Sequence, residues 1–204
     1  MTQYQVPKLP FTPDELAPFL DEKSVRGHLI IHKQYADKLN ETLMLIGGAS
    51  HPQHVSSILS NMGSVPADAR DAVGFFGGGY ENHRIFWDSV IPGGCDPGRL
   101  LDNYADVYFG GIEQMMNIFS DSAASIHGSG WCWLVFNTTY HKVEITTTAN
   151  ETSPWTRRLV PLLGLDMWEH AYYQRHAFDR DSYIKEWWKV VNWDYIEDKL
   201  EAIG

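Results

Sequence analysis

The sequence predicts an α+β fold, with an N-terminal antiparallel α-hairpin followed by an α/β lobe built on a three-stranded antiparallel sheet. Two observations predict it. Long helical periodicities fill the chain up to the turn-rich stretch Pro92 to Gly98, and three runs rich in β-branched and aromatic residues come only afterwards, between further helical patterns. The division expected is a helical hairpin domain over 1–92 and an α/β domain over 93–204.

The first helix is expected from Asp21 to Ile46, with Asp21 able to cap it and Gly47-Gly48 to stop it. Val25, His28, Leu29, His32, Tyr35, Ala36, Leu39 and Leu43 recur at three- and four-residue steps, so His28, His32 and Tyr35 share the stripe that faces the core. A second helix is expected from near Pro66 to about Asp88, antiparallel to the first across a connection around residues 49–65. It runs through Gly77-Gly78-Gly79. Each glycine weakens a helix by roughly 1 kcal/mol relative to alanine, so the run implies that a backbone or bulky group packs very closely there.

Beyond Gly98, helical periodicity runs through Leu100, Tyr104, Val107, Tyr108, Ile112, Met115, Met116 and Phe119. The three strands are expected at Gly130 to Asn137, Lys142 to Ala149 and Leu159 to Leu165. From Met167 the pattern is helical to the end, with breaks near Asp179 to Asp181 and at Asn192.

With 204 residues, 44% of them hydrophobic, the chain can bury a substantial core. There is no run of about eighteen apolar residues to span a membrane, and the start MTQYQVPKLP has neither a signal-type apolar region nor transit-peptide character. A cytoplasmic location is expected. Cys95 and Cys132 form no C-x-x-C pair, so they read as free thiols and not as a disulfide or zinc framework. The formal charge of −10 argues against nucleic acid and anionic membranes as partners. It also opposes steering of an anionic substrate, although a local basic funnel dominates close in because charge is screened beyond about 10 Å.

Asp166 and His170 stand four positions apart at a strand-to-helix junction, so one helical turn can aim both at a single point. His83 lies just past the glycine run and His28 on the buried stripe, which together gives three imidazoles and a carboxylate suited to manganese, iron or zinc. A lone histidine is more often a satisfied core or surface residue, and His51, His54 and His141 in polar loops are read that way.

The string DMWEHAYY, Asp166 to Tyr173, resembles the D-x-W-E-H-A-Y-Y signature of the iron/manganese superoxide dismutases, and GGGYENHRIFW, Gly77 to Trp87, their glycine-rich N-H-x-x-F-W segment. LPFTPDELAPFL from Leu9, GSGWCWLVFN from Gly128, VPLLGLD from Val160 and VNWDY from Val191 extend the resemblance over nearly the whole chain. It implies one manganese or iron ion per subunit, held by His28, His83, Asp166 and His170 with solvent in a fifth position, and a wall of Trp87, Trp131 and Trp168. It implies Tyr35 as the channel tyrosine and a homodimer in which Glu169 reaches the partner's ligand histidine and Tyr173 reaches the partner's counterpart of His32.

Four departures from the family pattern stand out. His28 and Tyr35 are seven apart, one fewer than in the family, so alignment from Tyr35 would put Gly27 in the ligand position; the ungapped upstream match and the four-residue offset of His32 favour His28. Loss of a local helical bulge would absorb the deletion. In TANET, Thr148 to Thr152, Glu151 stands where manganese-type members carry glutamine; ionised, it only accepts hydrogen bonds, and it is either a new group at the solvent ligand, even a fifth ligand, or a strand-end residue in water. The steering cation of the first helix is replaced within Ile30-Ile31, while Arg180 keeps a matching place. Tyr80 replaces a histidine or glutamine, and His176 a tyrosine.

The reaction expected is dismutation of superoxide, a small-molecule substrate, to oxygen and hydrogen peroxide. The alternative is a relative redirected to oxidation, oxygenation or isomerisation of an organic substrate, motivated by Glu151 and Ile30-Ile31. A metal-free structural relative is a third reading, motivated by the shortened first helix.

Overall fold

The computed structural model describes residues 3–47 and 54–203. Helix α1, Glu22–Leu45, begins where the Asp21 carboxylate accepts from the Ser24 backbone N–H at 2.8 Å. It is helical throughout, without a bulge, and of the expected stripe Val25, His28, His32, Ala36, Leu39 and Leu43 are buried while Leu29 and Tyr35 are partly buried. Short helix α2, Val55–Leu59, and a 3₁₀ turn at Met62–Ser64 lie in the expected connection. Gly48 and His51 lie outside the described residues.

Helix α3, Arg70–Asp88, starts four residues later than Pro66. The reason is local: the Ala69 N–H closes a turn onto the Pro66 carbonyl at 3.0 Å, and the helical bonds begin only with Val73 to Ala69. The helix passes through the glycine run intact because two neighbours need the space. A side chain on Gly78 would collide with the Glu151 carbonyl oxygen, and one on Gly79 with the ring of Tyr35.

The helical periodicity from Leu100 to Phe119 is carried by two helices, α4, Arg99–Phe109, and α5, Ile112–Ala124. Gly110 (φ +84°) and Gly111 (φ +122°) form a corner between them, and periodicity reads across it because Leu101, Ala105, Met115 and Phe119 enter the same core.

Strands β1, Gly130–Asn137, β2, Lys142–Ala149, and β3, Leu159–Asp166, form a sheet in the order β2-β1-β3, antiparallel throughout. β1 is central, and it is buried from Gly130 through Phe136. The β1–β3 register slips between Leu134 and Val135, opposite Leu163 and Pro161. A bulge suits that place because proline has no N–H to give the ladder. Trp131 pairs with both Thr148 and Asp166, so the start of β1 and the ends of β2 and β3 share one edge of the sheet.

Helices α6, Glu169–His176, α7, Arg180–Trp187, and α8, Trp193–Ile203, complete the lobe, with breaks where the sequence places them. The fold is thus a helical hairpin followed by a mixed lobe on a three-stranded antiparallel sheet. One apolar cluster fills the lobe and the base of the hairpin, including Val25, Phe86 and Trp133; a second, with Leu39, Leu43 and Leu59, fills the far end of the hairpin. No described helix is long and apolar enough to cross a membrane.

Candidate metal centre

Four elements meet where α1 and α3 lie against the Trp131 edge of the sheet. His28 comes from α1, His83 from α3, Asp166 from the last position of β3, and His170 from the first turn of α6. One potential ligand atom from each lies within 4.8 Å of all the others. Asp166 Oδ2 is 3.1 Å from His28 Nε2, 3.0 Å from His170 Nε2 and 3.6 Å from His83 Nε2, and the two latter nitrogens are 3.4 Å apart. Ligand bonds of roughly 2.1 Å put neighbouring donors about 3 to 3.5 Å apart, so the set fits one small cation.

Hydrogen bonding supports the same fit. His83 Nδ1 is 2.7 Å from the Gly79 carbonyl, which can only accept, so Nδ1 carries the proton and the Nε2 lone pair faces the cluster. His28 is buried with neither ring nitrogen in an aligned hydrogen bond, although its Nε2 lies near the carboxylate. A buried imidazole left so is what an ion would satisfy. Asp166 Oδ1 accepts the Trp168 N–H at 2.8 Å, which turns Oδ2 to the histidines.

Electrostatics keep three of the four donors in ligand form, Asp166, His28 and His83. Burial pushes the Asp166 carboxyl up, but the charge and hydrogen bonding of His170, with His28, outweigh this and hold it well below the usual range. Burial drives His28 and His83 down, and their mutual repulsion adds to the effect at His83. His170 goes the other way: burial lowers it, and Asp166 raises it further.

The register of α1 is resolved: His28 is in the cluster, while Gly27 lies against the Gln174 side chain. A helix without a bulge turns 100° per residue, and at seven residues on it still brings Tyr35 back to the same face. The Tyr35 ring stands 5.3 Å from that of His83 and rests on Gly79. Its other side opens on a cavity of about 450 Å³ lined by Ile31, Gln34, Asp37, Lys38, Glu41 and Phe76.

Glu151 is fully buried, not a strand-end group in water. Its Oε2 accepts from Trp131 Nε1 at 3.0 Å and from Asn82 Nδ2 at 3.4 Å, and Oε1 has no aligned partner. Burial, then the charge of Asp166, push its carboxyl up to about 8 against smaller opposing effects of Tyr35 and His170. With no cation bound, burial and the Asp166 charge thus hold this carboxyl toward its protonated form. Burial and then Glu151 push the Tyr35 hydroxyl up.

Around these, His32 stacks on His83 at 5.5 Å and is buried with neither ring nitrogen in an aligned hydrogen bond among the described residues. Tyr80 packs 5.2 Å from His32 and donates to the Gln5 carbonyl at 3.0 Å. Trp87, Trp131 and Trp168 stand 5.0 Å from His28, 5.2 Å from His83 and 5.8 Å from His170, respectively. Outside the cluster, Glu169 accepts from Ser129 Oγ at 3.1 Å, and Tyr173 is half-exposed against Phe178. Arg180 donates to the Ile126 and Ala123 carbonyls at 2.9 and 3.2 Å, and His176 bonds the Phe19 carbonyl at 2.7 Å. Asn82 escaped the sequence reading, though its place directly before His83 in the N-H-x-x-F-W segment marks it.

Three imidazoles and a carboxylate, held between an α-hairpin and a small sheet, form a donor set for a single metal ion, the site of a mononuclear metalloprotein. Residues 3–91 match the family description "Iron/manganese superoxide dismutases, alpha-hairpin domain", and residues 97–199 the matching "C-terminal domain". The chain is 40% identical to "Superoxide dismutase [Mn]" of Listeria monocytogenes, with 98% of each chain covered. It is 40% identical to that of Listeria innocua and 39% to that of Listeria ivanovii over the same shares. The chain belongs to the iron/manganese superoxide dismutase family, and its function is superoxide dismutation.

Proposed function

We propose that dismutation runs at the cluster of His28, His83, Asp166 and His170, with Tyr35 and Glu151 as the proton-handling groups beside it. The observation that carries this reading is the convergence of four buried donor atoms within 4.8 Å. His28, His83, Asp166 and His170 would hold a manganese or iron ion, which would supply the one-electron redox chemistry that converts two superoxides and two protons to oxygen and hydrogen peroxide.

The chain's own residues hold the donors and deliver the protons. Gly79 fixes the His83 tautomer, and Trp168 N–H turns the Asp166 carboxylate. Trp131 and Asn82 both donate to Glu151 Oε2, so its proton resides on Oε1. There the acid donates as the amide of a glutamine would, toward Tyr35 or solvent in the site. Manganese is the metal we favour, on the strand-end position of Glu151 and the likeness to the manganese superoxide dismutases of Listeria.

The chain acts, in this reading, as a homodimer. Glu169 and Tyr173 face outward beside exposed Phe178, and His32 awaits partners for its ring nitrogens. Arg180 draws substrate toward the site. The division into domains at 92/93 follows the turn after α3, and two free cysteines favour a reducing, cytoplasmic compartment. The test is to load purified protein with each metal and assay dismutation, with His83→Ala and His170→Ala as controls. Activity with one metal that disappears in both variants is expected, and stoichiometric metal without dismutation would refute the reading.

A further inference from the structure

The N-terminal segment has no regular secondary structure but is tied down at both ends. At one end the Tyr4 N–H donates to Asn40 Oδ1 at 2.9 Å, Asn40 Nδ2 donates to the Tyr4 carbonyl at 2.8 Å, and Tyr80 bonds the Gln5 carbonyl. At the other, Thr12 N–H and Oγ1 donate to Glu15 as the chain enters the buried stretch of Leu16, Phe19 and Leu20. Between the ties it bows away from α1.

Between the bow and α1 lies an open surface trough of about 530 Å³, lined by Val6, Leu9, Phe11, Leu29 and Ile30 with Lys8 and Lys33 beside them. This is within the range of small-molecule sites, about 300–1,000 Å³. Ile30 is 59% exposed, an apolar wall left uncovered among the described residues. Toward Tyr4 the cavity continues, through Val6 and Lys33, into a polar one of about 390 Å³ with Gln3, Gln5, Asp37 and Asn40. It shares no lining residue with the cavity beside Tyr35.

The two lysines supply the second half of the recognition. Lys8 is exposed and makes no ion pair or side-chain hydrogen bond among the described residues. Lys33 pairs with Asp37 at 2.6 Å, but both groups are more than half exposed, so that pair is weak and easily exchanged. On a chain of net charge −10, two cations over an apolar trough form a local anion-attracting spot.

We propose that this trough binds an amphiphilic carboxylate of the medium-chain fatty acid class, its chain along Leu9, Phe11, Leu29 and Ile30 and its head between Lys8 and Lys33. The site is separate from the metal centre and does not depend on the reading given there.

The experiment is calorimetric titration of the metal-loaded protein with decanoate below its micelle concentration, and with decanol as the uncharged comparison. Saturable binding of decanoate is expected, with decanol weaker by about tenfold or more. Lys8→Glu should weaken decanoate selectively, and Ile30→Asp, an exposed position, should weaken both ligands. Melting curves of both variants verify folding; if either is unfolded, the comparison of the two ligands on the native protein decides. No saturation, or equal affinity for both ligands, overturns the proposal. So does loss of self-association in Ile30→Asp together with no decanoate binding, since the trough would then be covered by a second copy.

Discussion

Glu151 is the residue whose environment most changes its chemistry. Its folded carboxyl is raised to about 8 and its unfolded value is about 4.3, so the folded protein binds the extra proton between them. The stability tied to that proton is present below about pH 4.3 and lost as pH rises through 8. Glu151→Gln removes this dependence. The variant of the metal-free protein should gain stability over the parent by roughly 2 to 3 kcal/mol more at pH 8 than at pH 6, as read by chemical denaturation. It should also keep dismutase activity above pH 8, where the native protein declines; a parallel pH profile would contradict the protonated-acid role. His32 behaves oppositely. Burial, then His28, push it down to about 3 from an unfolded value near 6.5, so stability is lost as pH falls from 6.5 toward 3. About 2 kcal/mol of it should disappear between pH 6.5 and 5 in the metal-free protein, and His32→Phe should flatten that slope. The burial of His32 is legible in the periodicity of the first helix, whereas that of Glu151 is not, because it comes from segments remote along the chain. The Asp166–His170 pair is legible because one helical turn fixes it locally.

At the scale of elements, α3 and the end of β2 are pressed together until only glycine fits. Gly78→Ala would drive a methyl group into the Glu151 carbonyl, and backbone cannot yield as a flexible side chain does. The variant should lose more than about 3 kcal/mol on denaturation and should lose metal affinity with it. The sequence pointed to this contact, since three consecutive glycines in a helix call for a close neighbour, but it did not identify Glu151 as that neighbour. Strand bounds were readable because β1 and β3 are buried and carry continuous apolar runs. The α4–α5 corner was not. Both helices bury their apolar residues in one core, so the periodicity hid a Gly-Gly turn that the residues themselves advertise. The shortened α1 was ambiguous by counting alone; a helix without a bulge resolves it by returning Tyr35 to the face of His28.

At the scale of the whole molecule, two apolar clusters flank the ligand set, so the metal centre belongs to the packing between hairpin and lobe. Chelation should therefore lower the melting temperature as well as activity, because an ion bound only by the folded form stabilises it by mass action. The outward Glu169, Tyr173 and Phe178 predict a further property, a particle of twice the mass of one chain in sedimentation equilibrium. Glu169→Ala should weaken that dimer by about tenfold or more, and an unchanged dissociation constant would remove Glu169 from the interface. The central claim is that one redox ion sits among His28, His83, Asp166 and His170 and turns over superoxide. Elemental analysis of the purified protein, paired with a dismutase assay on the same sample, tests it most directly. The account predicts close to one manganese or iron per chain, with activity proportional to that metal across preparations; a full complement of metal in a protein that leaves superoxide unconsumed would contradict it.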